Sequence, residues 1–134
     1  MSLNPGDNQG MRYMLLASYL ALSRLEDARK LFSQYDECDF NTVFAYCRAL
    51  ERFLSGDETG ALTALAEARK QNPYSEKWLR DFRRRPHGIP ESYAPGSKEE
   101  AMCFANTLQT AWMRHAGARK WLAGQAPKPK KKGG

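Results

Sequence analysis

At 134 residues, with 42% apolar and 11% aromatic side chains, the chain has the length and composition of one globular domain that buries a core of its own. No apolar run approaches the roughly 18 residues of a spanning helix, which excludes a helical membrane span. The opening "MSLNPGDNQG" lacks the basic and apolar regions of a signal peptide, so the expected location is the cytoplasm.

The formal net charge of +6 is unevenly spread. Residues 1–74 carry 8 Lys and Arg against 10 Asp and Glu, and residues 75–134 carry 13 against 5, giving −2 and +8. Cys38, Cys47 and Cys103 show no C-x-x-C spacing and read as reduced thiols with no metal role.

In chain order, Met11, Met14, Leu15, Tyr19 and Leu22 recur at three and four. They predict a helix from about Asn8 to Ser23 with these residues on one face. A second helix runs from about Leu25 to Gln34 with Ala28, Leu31, Phe32 and Tyr35 on its apolar side, and "YDECDFN" breaks it. The next helix carries Val43, Tyr46, Cys47, Leu50, Phe53 and Leu54. It turns at "SGD", where Gly56 supplies a left-handed residue, into a helix with Leu62, Leu65 and Ala68. Two helical hairpins thus fill residues 8–72. Residues 75–82 form a short helix, and 83–96, "RRRPHGIPESYAPG", form a connector in which Pro86, Pro90 and Pro95 oppose helix.

Ser97 then starts the C-terminal helices, 97–123. Its hydroxyl is placed to accept from the Glu100 backbone N–H, and the Glu100 side chain to reach back, as in a capping box. Ala101, Met102, Ala105, Leu108, Ala111 and Trp112 mark one side of a helix extending to about His115. The short "GARKWL" follows with Trp121 and Leu122 as anchors. The domain is expected to close at about residue 124. The basic tail 125–134 has too little apolar content to offset the entropy of ordering it.

Repeats organise these elements. Asn4-Pro5 and Asn72-Pro73 lie 68 residues apart, twice 34, and Ala28 and Ala61 lie 33 apart, each followed four positions on by a large apolar residue, Phe32 or Leu65. In these residues the chain resembles the tetratricopeptide repeat. Ala49, Ala61 and Ala68 match the family's three small positions, with "GD" at the turn and Pro73 at the end. In the first repeat Ala28 and Phe32 match, Leu16 and Tyr35 stand where small residues are usual, and Arg12 and Ala45 occupy the two early tryptophan positions. "LNPGDNQGMRYMLL", "QNPYSEKWL" and "PESYAPGSKEEAMCFANTLQTAWMRHAGARKWL" further resemble the C-terminal region of the suppression-of-tumorigenicity-seven family and its bacterial relatives. The resemblance implies an all-α fold: two tetratricopeptide-like hairpins, a Pro-rich connector and a C-terminal capping helix. It also implies no known catalytic activity and, usually, membership of a longer protein; beginning where a preceding helix would end, the chain is expected to be either an excised piece or a small stand-alone relative.

From the tetratricopeptide pattern, the first helix of each hairpin lines a concave groove, here with Tyr13, Ala17, Leu20 and Ala21, then Val43, Tyr46, Leu50 and Phe53. This apolar lining suits either the chain's own C-terminal helix or a hydrophobic peptide. Met11, Met14, Leu15, Ser18 and Leu22 are the candidate partner-binding face, for self-association or for another protein of unknown identity. Arg83, Arg84, Arg85, Lys128, Lys130, Lys131 and Lys132 are candidate phosphate contacts, and they carry the alternative reading of a nucleic-acid or ribonucleoprotein-associated protein. No catalytic or metal residues and no cofactor are indicated. His87 and His115 lack acidic or cysteine neighbours at useful spacing, and no Walker spacing occurs. A non-catalytic scaffold for protein–protein interaction is the leading expectation.

Overall fold

The computed structural model describes residues 5–35, 41–81, 88 and 90–125, and among these it is entirely helical. The helices are α1 (Pro5–Ala21), α2 (Leu25–Gln34), α3 (Thr42–Leu54), α4 (Glu58–Gln71), α5 (Ser75–Arg80), α6 (Lys98–Trp112) and α7 (Ala116–Gly124). The all-α expectation holds, with α1 and α2, then α3 and α4, forming successive hairpins.

The two hairpin turns repeat one another at a spacing of 33 residues. In the first, Arg24 N–H donates to Tyr19 O and Ser23 N–H to Leu20 O. In the second, Asp57 N–H donates to Arg52 O and Gly56 N–H to Phe53 O. Both close their helix with the six-to-one bond of a Schellman motif, which requires a left-handed residue just past the end. Gly56 meets that need at φ +88°, whereas Ser23 adopts φ +59° and carries the steric cost of its Cβ. Ser23→Gly is therefore expected to stabilise the fold by about 0.5–1 kcal/mol, read as a higher urea midpoint with an unchanged slope.

The register of α1 turns Tyr13, Leu16, Ala17 and Leu20 to the core and leaves the stripe of Met11, Met14, Leu15, Tyr19 and Leu22 on the other side. Of that stripe Met11, Met14, Leu15 and Leu22 are exposed and Tyr19 is half-buried. The segment 11–22 is apolar on nearly every side, so periodicity offers two faces and only the packing partners choose between them. The helix also begins at Pro5 rather than near Asn8; proline is tolerated in a first turn, where its missing N–H has no intrahelical partner.

Downstream, α6 ends at Trp112, short of the expected His115. Met113 and Arg114 form a turn, and His115 stands at the N-cap of α7. Leu62, expected on the apolar side of α4, is exposed. α5 ends at Arg80 with Asp81 as its C-cap, and the expected end at residue 82 lies outside the described residues, as do 83–87 and 89 of the connector and all of the tail beyond Gln125.

The core gathers around α3, whose Val43, Phe44, Ala45, Tyr46, Cys47, Ala49 and Leu50 are all buried. Both hairpins and the C-terminal helices pack on it. α6 lies parallel to α1, as paired contacts rise together along both: Tyr13 with Phe104, Met14 with Thr107, Leu20 with His115.

Candidate interaction surfaces

Three places bear on function: the concave side, the joint where α4, α5 and α6 meet, and the outer face of α1. Of the residues expected to line a concave side, Tyr13, Leu20, Tyr46 and Leu50 are buried and Phe53 is half-buried. The Tyr13 ring meets Phe44 and Phe104 edge-on at 5.8 and 5.6 Å, and Trp112 of α6 is fully buried in the same cluster. Trp121 of α7 lies 5.1 Å from the Phe53 ring, tilted by 34°. Of the two expected occupants of the groove, the chain's own C-terminal helices are the one in place.

The joint is polar and buried. Ser97 Oγ accepts from the Glu100 N–H at 3.1 Å, as its cap role predicts. The Glu100 side chain departs from the capping-box expectation, because it does not return to the Ser97 N–H, which instead donates to Ala94 O. One oxygen, Oε1, accepts from Gly96 N–H, Thr42 Oγ1 and Asn72 Nδ2, each at 2.9 Å. A carboxylate only 5% exposed needs donors in place of water, and the adjoining turn together with two distant segments supplies them. Asn72 is used on every side: Nδ2 also donates to Ser97 O at 2.8 Å, Oδ1 accepts from Tyr74 N–H, and its carbonyl accepts from the Tyr46 hydroxyl at 2.5 Å. The residue singled out by its Asn-Pro dipeptide is thus the fastener of the joint.

Beside it, Arg69 grips Glu76 with two bonds of 2.7 Å and spends a third on Gln125 O at 2.6 Å. The bonds to Glu76 hold the Arg69 guanidinium above its usual pKa. Burial, reinforced by the Glu76 charge, pushes the Tyr46 phenol well above its ordinary value of 10.0. Folded Tyr46 therefore keeps its proton where the unfolded residue has lost it. The stabilisation is complete below pH 10.0 and falls away as pH rises above it. Chemical denaturation between pH 9 and 11.5 is expected to show this fall, and Tyr46→Phe a shallower one.

The outer face of α1 is apolar and open. Met11, Met14, Leu15 and Leu22 are 67%, 48%, 43% and 60% exposed, and Ser18 is half-buried beside them. Met14 Sδ receives a weak bond from Thr107 of α6 at 3.6 Å, which ties one edge of the stripe to the capping helix.

Among the described residues no group of three His, Cys, Asp or Glu side chains is placed to hold a metal ion, and no helix is long and apolar enough to cross a membrane. His115 is half-buried. Its Nε2 lies 2.6 Å from Leu20 O, and because a carbonyl only accepts, that nitrogen carries the proton. Cys47 fills the core, while Cys103 sits 3.8 Å from Pro90 O with its thiol pushed up by burial and by Glu100. Arg83, Arg84, Arg85, His87, Lys128, Lys130, Lys131, Lys132 and Cys38 lie outside the described residues. Sequence reasoning missed the Arg29–Glu51 pair, in which Arg29 Nε donates at 2.8 Å to a carboxylate that is 1% exposed; a charged residue within an apolar helix face was the available signal. Compared with known proteins, the chain matches no family model, no curated sequence and no solved structure.

Proposed function

We propose that this chain is a non-catalytic helical-repeat scaffold of tetratricopeptide type, related to the suppression-of-tumorigenicity-seven family. We place it in the cytoplasm as one part of a larger protein or assembly. Its contact with other chains runs through the outer face of α1. The observation that carries this reading is the distribution of exposed apolar side chains: of eight large ones exposed among the described residues, three lie on this single helix and a fourth, Leu22, stands in the turn directly after it. In a repeat stack, the outer face of a first helix packs against a neighbouring repeat, so the same surface suits another protein or a second copy. Methionine adapts to partners of different shape, and a contiguous apolar stripe is the usual mark of a contact surface.

The test is Met11→Glu combined with Met14→Glu. Both side chains point away from the core, so helical content by circular dichroism should remain that of the parent. Mass by light scattering and recovery of partners in a pull-down should fall to background. A double variant with unchanged mass and unchanged recovery would dispose of the proposal.

A further inference from the structure

The two part-buried arginine–carboxylate clusters of this protein are built differently. Around Glu76, Arg69 uses its Nε and one Nη on the two carboxylate oxygens and spends that Nη again on a backbone carbonyl. Such a two-pronged pair has complementary geometry and little left to give. Around Glu51, two guanidinium groups share one carboxylate, each paired with it through Nε. Arg29 Nε lies 2.8 Å from Oε2, and Arg52 Nε 3.6 Å from Oε1. The Nη groups of Arg29 and Arg52 make no other bond among the described residues.

Arg29 and Arg52 both line a depression of about 470 Å³ in the crease between α2 and α3, together with Phe32, Ser33, Arg48 and Glu51. It adjoins a second of about 480 Å³ along α2, which shares Arg29 and Ser33 and adds Glu26, Lys30 and Gln34. Among the described residues, the two linings together hold four cations, Arg29, Lys30, Arg48 and Arg52, and two carboxylates, Glu26 and Glu51. Glu51 is 1% exposed, so it serves as an internal anchor that fixes the directions of Arg29 and Arg52 rather than as a counter-charge open to solvent. A guanidinium held in place by one bond loses less freedom when it makes the next.

We propose that this trough on α2 and α3 binds an extended acidic segment of another protein, its carboxylates taking the Nη groups of Arg29 and Arg52. From Glu26 to Gln34 the trough follows α2 for about 12 Å, the length of three or four residues of extended chain. Two features set the occupant as an acidic peptide rather than a nucleic acid. Among the described lining residues, the Glu51 and Glu26 carboxylates leave a modest excess of positive charge, which suits one or two carboxylates better than a row of phosphates. Among the described residues of its lining the trough offers no open aromatic face for a base: Phe32 is 8% exposed, and the Arg48 guanidinium lies 5.7 Å from its centroid. This surface is separate from the apolar stripe of α1, and its occupancy does not depend on that stripe.

The experiment measures fluorescence anisotropy of a dye-labelled tetraglutamate peptide, capped at both ends, against the full 134-residue chain at ~0.15 M salt. A tetraglutamine peptide with the same dye is the neutral control, and an octauridylate RNA is the competitor. Tetraglutamate should bind at least about tenfold more tightly than tetraglutamine, and Arg48→Gln with Arg52→Gln should remove that preference. This double variant keeps the Arg29–Glu51 pair and every residue of the basic tail, so a peptide held on the tail would bind it as before. Should the double variant lose its helical signal, Arg52→Gln alone carries the test, since its link to Glu51 is the long one; a loss of at least about threefold is then expected. Equal affinity for the two peptides, or tetraglutamate binding that survives the substitutions, would overturn the proposal. So would RNA that displaces the peptide and weakens equally in the variant.

Discussion

Trp112→Ala is expected to destabilise the protein by about 3–5 kcal/mol, the range for truncating a large aromatic side chain in a packed core. The indole is 0% exposed and belongs to the cluster in which α6 closes on α1 and α3. Its removal leaves a void at the point where the C-terminal helices are tied to the hairpins. The indole Nε1 is buried with no hydrogen-bond partner among the described residues, so the aromatic body rather than the N–H carries the stability. Trp112→Phe, which keeps most of that body and deletes the unpaired donor, should cost only about 1 kcal/mol. Ser97→Ala removes one cap bond near the surface and should also cost about 1 kcal/mol. Urea titration of the three variants orders them directly. A Trp112→Ala midpoint equal to that of the parent would mean that α6 is not docked.

Asn72→Ala should be the other large effect, about 2–4 kcal/mol. Its side chain gives Nδ2 to Ser97 O and Glu100 Oε1 and takes the Tyr74 N–H on Oδ1. Truncation deprives a buried carboxylate of one of three donors and leaves a carbonyl and an amide without their partner; an unmet buried group costs more than a made bond contributes. The loss should be coupled to the carboxylate. In a double-mutant cycle, Asn72→Ala and Glu100→Gln are expected to cost less together than the sum of their separate costs, by at least about 0.5 kcal/mol. Strict additivity would place the Asn72 contribution elsewhere, in its bonds to the Ser97 carbonyl and the Tyr74 amide. Because these groups come from the end of α4, the start of α5 and the start of α6, hydrogen exchange in the variant should rise at residues 96–101 ahead of the α3 core.

Much of the architecture was legible in the amino-acid order because its causes are local. Gly56 had to end a helix, since only glycine takes a left-handed backbone cheaply; Ser97 had to begin one, since its hydroxyl meets an N–H three residues on. The spacing of 33 between Ala28 and Ala61 foretold two turns that repeat bond for bond. Partnership across distance was decided by the tertiary structure. Residues 11–22 present apolar side chains on two faces. Only the approach of α6 alongside α1 selected Tyr13, Leu16, Ala17 and Leu20 for the core and left the methionines outside. Glu100 looked like a local capping residue and became a link to Thr42 and Asn72, 58 and 28 positions away. Arg29 and Glu51, 22 residues apart, carry no shared pattern in the chain; they meet because the hairpins stack α2 against α3. Helix starts, stops and turns are set by a residue and its near neighbours, so one sequence suffices to place them. The choice between two apolar faces, and the pairing of a buried charge, depend on which surfaces come together, and that is settled only when the whole chain packs.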